Sequence, residues 1–304
     1  VLRRPNLTIK TEALVSKVLI NQGKAEGVEF LSKKGHKEKV FANKEVILCA
    51  GAFQSPQILM LSGIGDSQEL KKVGIESKHH LPGVGKNLQD HLFFNCSALS
   101  KTQEGFNHHL SPINQLKGLL QILLSQKGAL TCSPLEAVAF YNSKGEKGVD
   151  FQLHFAPIQV GADYKTDFHD LSTFPRVDGF TILPSLINPK SKGFISLKSA
   201  DPGTPPLIQP NFLSEKEDWE TLIRGTRKAL EILKSEAFAP FRKTIITPPD
   251  ESEEGIITHI KKSVETIYHP VGTCKMGSDE SAVVNDRLQV HGIKNLRVAD
   301  ASIM

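Results

Sequence analysis

Along the opening stretch of the chain, short apolar runs alternate with polar turns. Leu7-Thr8-Ile9, Leu14 to Ile20, Gly27 to Phe30 and Val40-Phe41 read as strands, with turns at Asn21-Gln22-Gly23-Lys24 and at Gly35. That spacing predicts a meander of short antiparallel strands. It closes on Val46-Ile47-Leu48-Cys49-Ala50, an unbroken apolar run that suits a strand buried on both faces of a parallel sheet. Gly51-Ala52-Phe53-Gln54-Ser55-Pro56 follows at once. Ser55 as N-cap and Pro56 as first helical residue predict a helix from about Pro56 to Ser62, stopped by Gly63. Strand, small-residue turn and helix start together turn backbone N–H groups toward a place where an anion can sit. The same pattern also suits a tight connection that binds nothing.

Past the run Leu81 to His91 the pattern becomes longer and more mixed, and a boundary is placed there. Strands are expected at Asp150 to Phe155, Gly179 to Leu183 and Gly193 to Leu197, between Pro- and Gly-containing loops. Ser214 and Glu217 have capping-box spacing before a helix that carries Trp219, Leu222, Ile223, Leu230 and Leu233 on one face. A second helix starts near Asp250 to Glu253, with Ile256, Ile257, Ile260 and Val264 inward. This region reads as an antiparallel sheet flanked by helices. Short strands return at Thr266 to His269, Arg287 to Val290 and Leu296 to Val298, and no internal repeat interrupts the order.

Composition narrows the function classes. The 304 residues are 39% hydrophobic and 23% charged, as in an ordinary globular protein of one large domain or two. The net charge of +4 is spread out, with no basic block beyond Lys33 to Lys39, so no nucleic-acid partner is indicated. The apolar stretch Leu116 to Leu124 is broken by Lys117, Gly118 and Gln121 and is shorter than the roughly 20 residues of a membrane span, so no transmembrane segment is expected. Cys49, Cys96, Cys132 and Cys274 stand too far apart for a zinc site or a disulfide framework and fit a reducing compartment. His79-His80 and His108-His109 are adjacent pairs that point in different directions and lack a third ligand, so they read as surface residues. No G-x-S-x-G is present, which excludes the serine-hydrolase elbow. Val1 in place of an initiator Met, and an end at Ser302-Ile303-Met304 inside an apolar stretch, read as the cut ends of a longer chain.

Gly51-Ala-Phe-Gln-Ser-Pro-Gln-Ile-Leu-Met-Leu-Ser-Gly-Ile-Gly65 resembles the second signature of the glucose-methanol-choline (GMC) oxidoreductases. Leu81 to His91, Ser191 to Asn211, His269-Pro-Val-Gly-Thr-Cys-Lys-Met-Gly277 and Asn295 to Met304 resemble further family blocks in the same order. The resemblance implies a fold both α/β and α+β: part of an FAD-binding Rossmann-like domain at residues 1–91, a substrate-binding domain at 92–262, and a return to the first at 263–304. It also implies an FAD-dependent enzyme that oxidises the CH–OH group of a small-molecule alcohol by hydride transfer, with the electron acceptor unassigned. No G-x-G-x-x-G turn lies within the chain; the resemblance places it upstream of Val1, and a second catalytic His or Asn beyond Met304.

By the same resemblance His269 is the active-site acid or base, a task that suits an imidazole. Ala50, Gly51, Asp300 and Ala301 match family positions beside the FAD, Val15 matches the one beside the adenine, and Asn87, in the run that continues to Asp90 and His91, matches a loop passing the flavin. Glu136 resembles part of a segment lining the substrate cavity. A non-catalytic fragment that binds a small molecule or a partner without flavin is the alternative reading.

Overall fold

The alternation in the opening stretch is realised as β1 (Ala13–Asn21), β2 (Lys24–Ser32) and β3 (Lys37–Phe41), an antiparallel meander in a computed structural model that describes residues 4–304. Gln22 and Gly23 both have positive φ, the geometry of the turn that best matches strand twist. Gly27 faces Phe41 so closely that a Cβ there would stand 2.1 Å from the Val40 carbonyl oxygen. The expected strand at Leu7-Thr8-Ile9 does not form; among the described residues no neighbouring strand pairs with it, and both apolar side chains are exposed.

The apolar run after the meander forms β4 (Val46–Leu48), which pairs in parallel with the strand Leu296–Val298. Val46, Leu48, Leu296 and Val298 are buried, but Ile47 is half exposed. Burial on both faces is therefore not realised at β4, whose ladder has only two strands.

The helix that follows begins earlier than the sequence predicts. It is α1 (Gly51–Leu61), so Ser55 lies inside it, fully buried, and is not its N-cap. Capping comes from across the ladder: the Asp300 carboxylate accepts from the Gly51 N–H at 3.0 Å and from the Ser55 hydroxyl at 2.5 Å. Pro56 has no N–H to donate to the Ala52 carbonyl one turn back. That buried oxygen accepts instead from the Thr273 hydroxyl at 2.6 Å. Gly63, at positive φ, stops the helix as expected. A short α2 (Ser67–Lys72) follows, capped by Asp66, which accepts from the Gln68 and Glu69 N–H groups.

The chain divides into two compact units. The first comprises Val1–Gln89, Ser191–Phe212 and Pro270–Met304 around a core that includes Leu59, Ile64, Leu70, Ile195, Val284 and Leu296. The second comprises Asp90–Lys190 and Leu213–His269. Residues 191–212 thus fall in the first unit, outside the 92–262 segment to which the sequence assigned them. The cause is local: the strands Phe194–Ser196 and Leu207–Gln209 pair with each other, and Gly193 bridges to Leu88.

The second unit contains the expected antiparallel sheet, with strand order Arg242–Ile245, Cys96–Ser100, Gly179–Leu186, Phe151–Ala156 and Ala137–Tyr141. It also holds α3 (Pro112–Ser125), α4 (Lys216–Lys234) and α5 (Glu253–Ser263). Phe151, Leu153 and Leu186 share a core with Leu222, Ile223 and Leu233 of α4 and Ile256 and Ile260 of α5, the inward residues that the periodicity picked out. The Ser214 capping box does not form, because the cap position is Glu215, whose side chain does not cap the helix; α5 is capped by Ser252. Among the described residues no helix is long and apolar enough to cross a membrane.

The bond between Thr273 and Ala52 generates a test. Thr273→Val leaves a buried carbonyl unpaired and is expected to cost about 1–3 kcal/mol, read from the urea midpoint. Adding Pro56→Ala restores an N–H one turn below that carbonyl and should recover part of the loss. A double variant no more stable than Thr273→Val alone would place the loss elsewhere.

Candidate active site

The candidate residues fall into two groups, one in each unit. In the first unit the parallel pairing of β4 with Leu296–Val298 brings Ala50-Gly51 and Asp300-Ala301 to the carboxyl ends of adjacent parallel strands, where open α/β sheets bind ligands. Gly51 sits at φ +82, and a Cβ built on it meets nothing within 4 Å. Backbone conformation therefore requires glycine here, and the space before it is open. Both oxygens of Asp300 are engaged, the second accepting from the Ser302 N–H at 2.8 Å. Burial opposes its ionisation, but the bonds from Ser302, Ser55 and Gly51 outweigh that and hold the carboxyl below its usual range. A carboxylate so placed favours the α1 start electrostatically and takes the Gly51 N–H that the sequence left free for an anion.

Val15 lies on β1, partly buried against the first core, on the strand whose Val18 N–H donates to the Ser62 hydroxyl of α1's C-cap. Asn87 has left-handed backbone at φ +63, which asparagine tolerates. Its amide donates to the Gly272 carbonyl at 3.1 Å and accepts from the Gln89 side chain. A Cβ at Gly272 would stand 2.3 Å from the Asn87 carbonyl oxygen, so Asn87 and Gly272 fasten two loops backbone to backbone.

In the second unit, Asp90 anchors the backbone at both His91 and His269. It is buried, and one carboxylate oxygen accepts from the His91 backbone N–H at 2.8 Å and from the His269 backbone N–H at 3.0 Å. The two rings meet edge to face with centroids 6.2 Å apart. A third imidazole, His154, comes from the strand Phe151–Ala156 and touches the Gln152 amide. Because side chains alternate along a strand, Gln152 and His154 project from the sheet face opposite Phe151, Leu153 and the helices. Glu136, exposed and just before the edge strand, shares that face with Val138, which is directly opposite His154. Burial pushes the His154 imidazole below the usual histidine range, helped by repulsion from His269 and His91. Burial likewise lowers His91, with the Asp90 charge pulling upward and His269 downward. The structure thus brings together His269 and His91 with a residue the sequence did not single out, His154; Glu136 shares only the sheet face of His154. The His154 signal was weak: two polar residues in step on an otherwise apolar strand.

The apolar cavity of about 390 Å³ between Phe155, Phe180, Phe238 and Phe241 opens on the helix side of the same sheet, since Phe155 alternates with His154. It is not part of the imidazole group. His108 pairs with the Asp178 carboxylate at 2.6 Å, and no cluster among the described residues could hold a metal ion.

Two profiles described as GMC oxidoreductase match the chain, one over residues 1–93 and one over residues 189–304. An alcohol dehydrogenase [acceptor] of Pseudomonas putida is 42% identical, over 100% of this chain and 55% of its own length. The mitochondrial choline dehydrogenase of Homo sapiens is 39% identical, over 100% of this chain and 50% of its own. A formate oxidase structure superposes with a TM-score of 0.88 at 28% identity, over 100% of this chain and 57% of that one. A pyridoxine 4-oxidase from Mesorbium loti does so with a TM-score of 0.82 at 25% identity, over 99% and 54%. The chain therefore spans about half the length of the relatives it matches.

If Asp90 acts on His91 by charge as well as by its hydrogen bond, Asp90→Asn keeps an acceptor for both N–H groups and removes the charge. His91 should then titrate at lower pH still, followed through its ring-proton NMR signals. A His91 pKa that stays or rises would show that the carboxylate does not set it.

Proposed function

Since this chain belongs to the GMC oxidoreductase family, we propose that it is the part of an FAD-dependent enzyme that oxidises the CH–OH group of a small-molecule alcohol, with His269 as its acid or base. The observation that carries this reading is the grouping of the His269, His91 and His154 imidazoles, with the backbone N–H groups of His269 and His91 both bound by buried Asp90. The P. putida and human relatives, both named for the oxidation of an alcohol, support the reaction class.

The open space before Gly51 leaves room for the backbone to approach a flavin nucleotide. Ala50, Gly51, Asp300 and Ala301 would hold it through backbone, Val15 would pack on its adenine and Asn87 would keep the neighbouring loop in place. FAD, when bound, supplies the acceptor for the hydride leaving the carbinol carbon.

The protein's own share is proton handling and orientation. His269 has an exposed ring, so one of its nitrogens can take the hydroxyl proton as the C–H bond breaks. His91 and His154, held below the usual histidine range, are neutral at pH 7 and add no positive charge that would oppose protonation of His269. Neutral imidazoles also accept and donate hydrogen bonds, which suits them to orient the hydroxyl. Glu136, on the sheet face of His154, would bind the remainder of the alcohol.

In the flavin-loaded holoenzyme, His269→Gln is expected to lower the anaerobic rate of flavin reduction at saturating alcohol by about 10² to 10⁴ while flavin content stays unchanged. Stopped-flow absorbance reads both. Reduction at nearly the wild-type rate would make His269 structural. A wild-type protein that folds but takes up no flavin would favour the non-catalytic reading.

A further inference from the structure

Helix α3 has its apolar side turned outward. At 100° per residue, Ile113, Leu116, Leu119, Leu120, Leu123 and Leu124 cover an arc of roughly 140°, and all six are exposed, from 50% at Leu120 to 86% at Leu124. No residue of the helix is buried. Its contacts with the rest of the unit come from the other side. Asn114 donates to the His108 carbonyl at 2.8 Å, Gln115 to the Leu110 carbonyl at 2.9 Å, and Gln121 lies against Gly128. Surface helices of globular proteins do the reverse, with the apolar stripe on the core.

The charges around the helix have one sign. From Gly105 to Leu135 there is no Asp or Glu. Lys117 at the rim of the apolar arc and Lys127 just beyond the helix have no acidic partner among the described residues. Of the nearby acids, Asp178 is taken by His108. An arc of six aliphatic side chains edged by unpaired lysines is the composition of a helix lying in a membrane interface.

We propose that α3 docks this protein on an anionic phospholipid surface, lying in the plane of the headgroups with its leucines in the acyl boundary. At 14 residues it is shorter than the roughly 20 needed to span, so it lies on the bilayer. A second copy of the chain fits less well. A standard interface takes about 800 Å² from each partner, more than one face of a helix about 21 Å long offers. The arc is also wider than the a/d seam of a two-helix coil.

Flotation of the full-length protein with phosphatidylcholine vesicles, with and without phosphatidylglycerol, tests this. The wild type should float with the anionic vesicles and be partly released by salt. Leu120→Ser with Leu123→Ser should lower the bound fraction at least about tenfold with an unchanged unfolding midpoint, because both sites are exposed. Lys117→Gln and Lys127→Gln should each lower binding to anionic vesicles about fivefold. Leu123→Trp should be quenched by brominated lipid, which reports on α3 itself. Equal flotation of wild type and the leucine variant, no flotation of the wild type, or no quenching overturns the proposal. So does a wild type that sediments as a dimer and a leucine variant that sediments as a monomer, which would make the face a self-association interface.

Discussion

The parallel ladder between β4 and Leu296–Val298 is the contact on which the candidate site of the first unit depends. It joins segments about 250 positions apart, and closing a loop of that length costs about 5 kcal/mol in chain entropy. Net hydrogen bonds at about 0.5–1.5 kcal/mol each do not offset this comfortably. Burial of Val46, Leu48, Leu296 and Val298, at about 1.5–3 kcal/mol each, does. The hydrophobic term thus forms the ladder and the polar contacts set its register: Asp300 on Gly51 and Ser55, and Thr273 on Ala52. Without that register Ala50-Gly51 and Asp300-Ala301 would not share one edge.

A different balance governs the imidazole side. One buried carboxylate, Asp90, serves two backbone N–H groups with a single oxygen, and its charge pulls His91 upward against that ring's burial. Burial and mutual repulsion dominate at His91 and His154. Those two rings stay uncharged near neutrality.

Much of this was legible in the sequence, for reasons that differ by residue. The meander, the helix faces with Leu222, Ile256 and Ile260, and the block around His269 follow from periodicity or from long motifs. Ser55 was misread because its acceptor, Asp300, is far away in the chain, whereas a serine before a proline has a ready local explanation as a cap. His154 has no motif around it, and only the pairing of its strand shows which face it occupies. Residues 191–212 leave the sheet unit because of a two-strand pairing that no local pattern announces. In each case the deciding partner is distant in sequence, and propensity carries no information about it.

The interleaving of the two units also bears on how the chain is made. Segments 1–89, 191–212 and 270–304 build one unit around a second that occupies the intervals. On a ribosome adding about 5–20 residues per second, β4 emerges tens of seconds before the strand that pairs with it. Throughout that interval β4 lacks the strand it pairs with in parallel, while the strands from Cys96 to Leu186 can already assemble. The nascent first unit is therefore the part that a holdase chaperone would meet, and neither unit can be transplanted as one contiguous module.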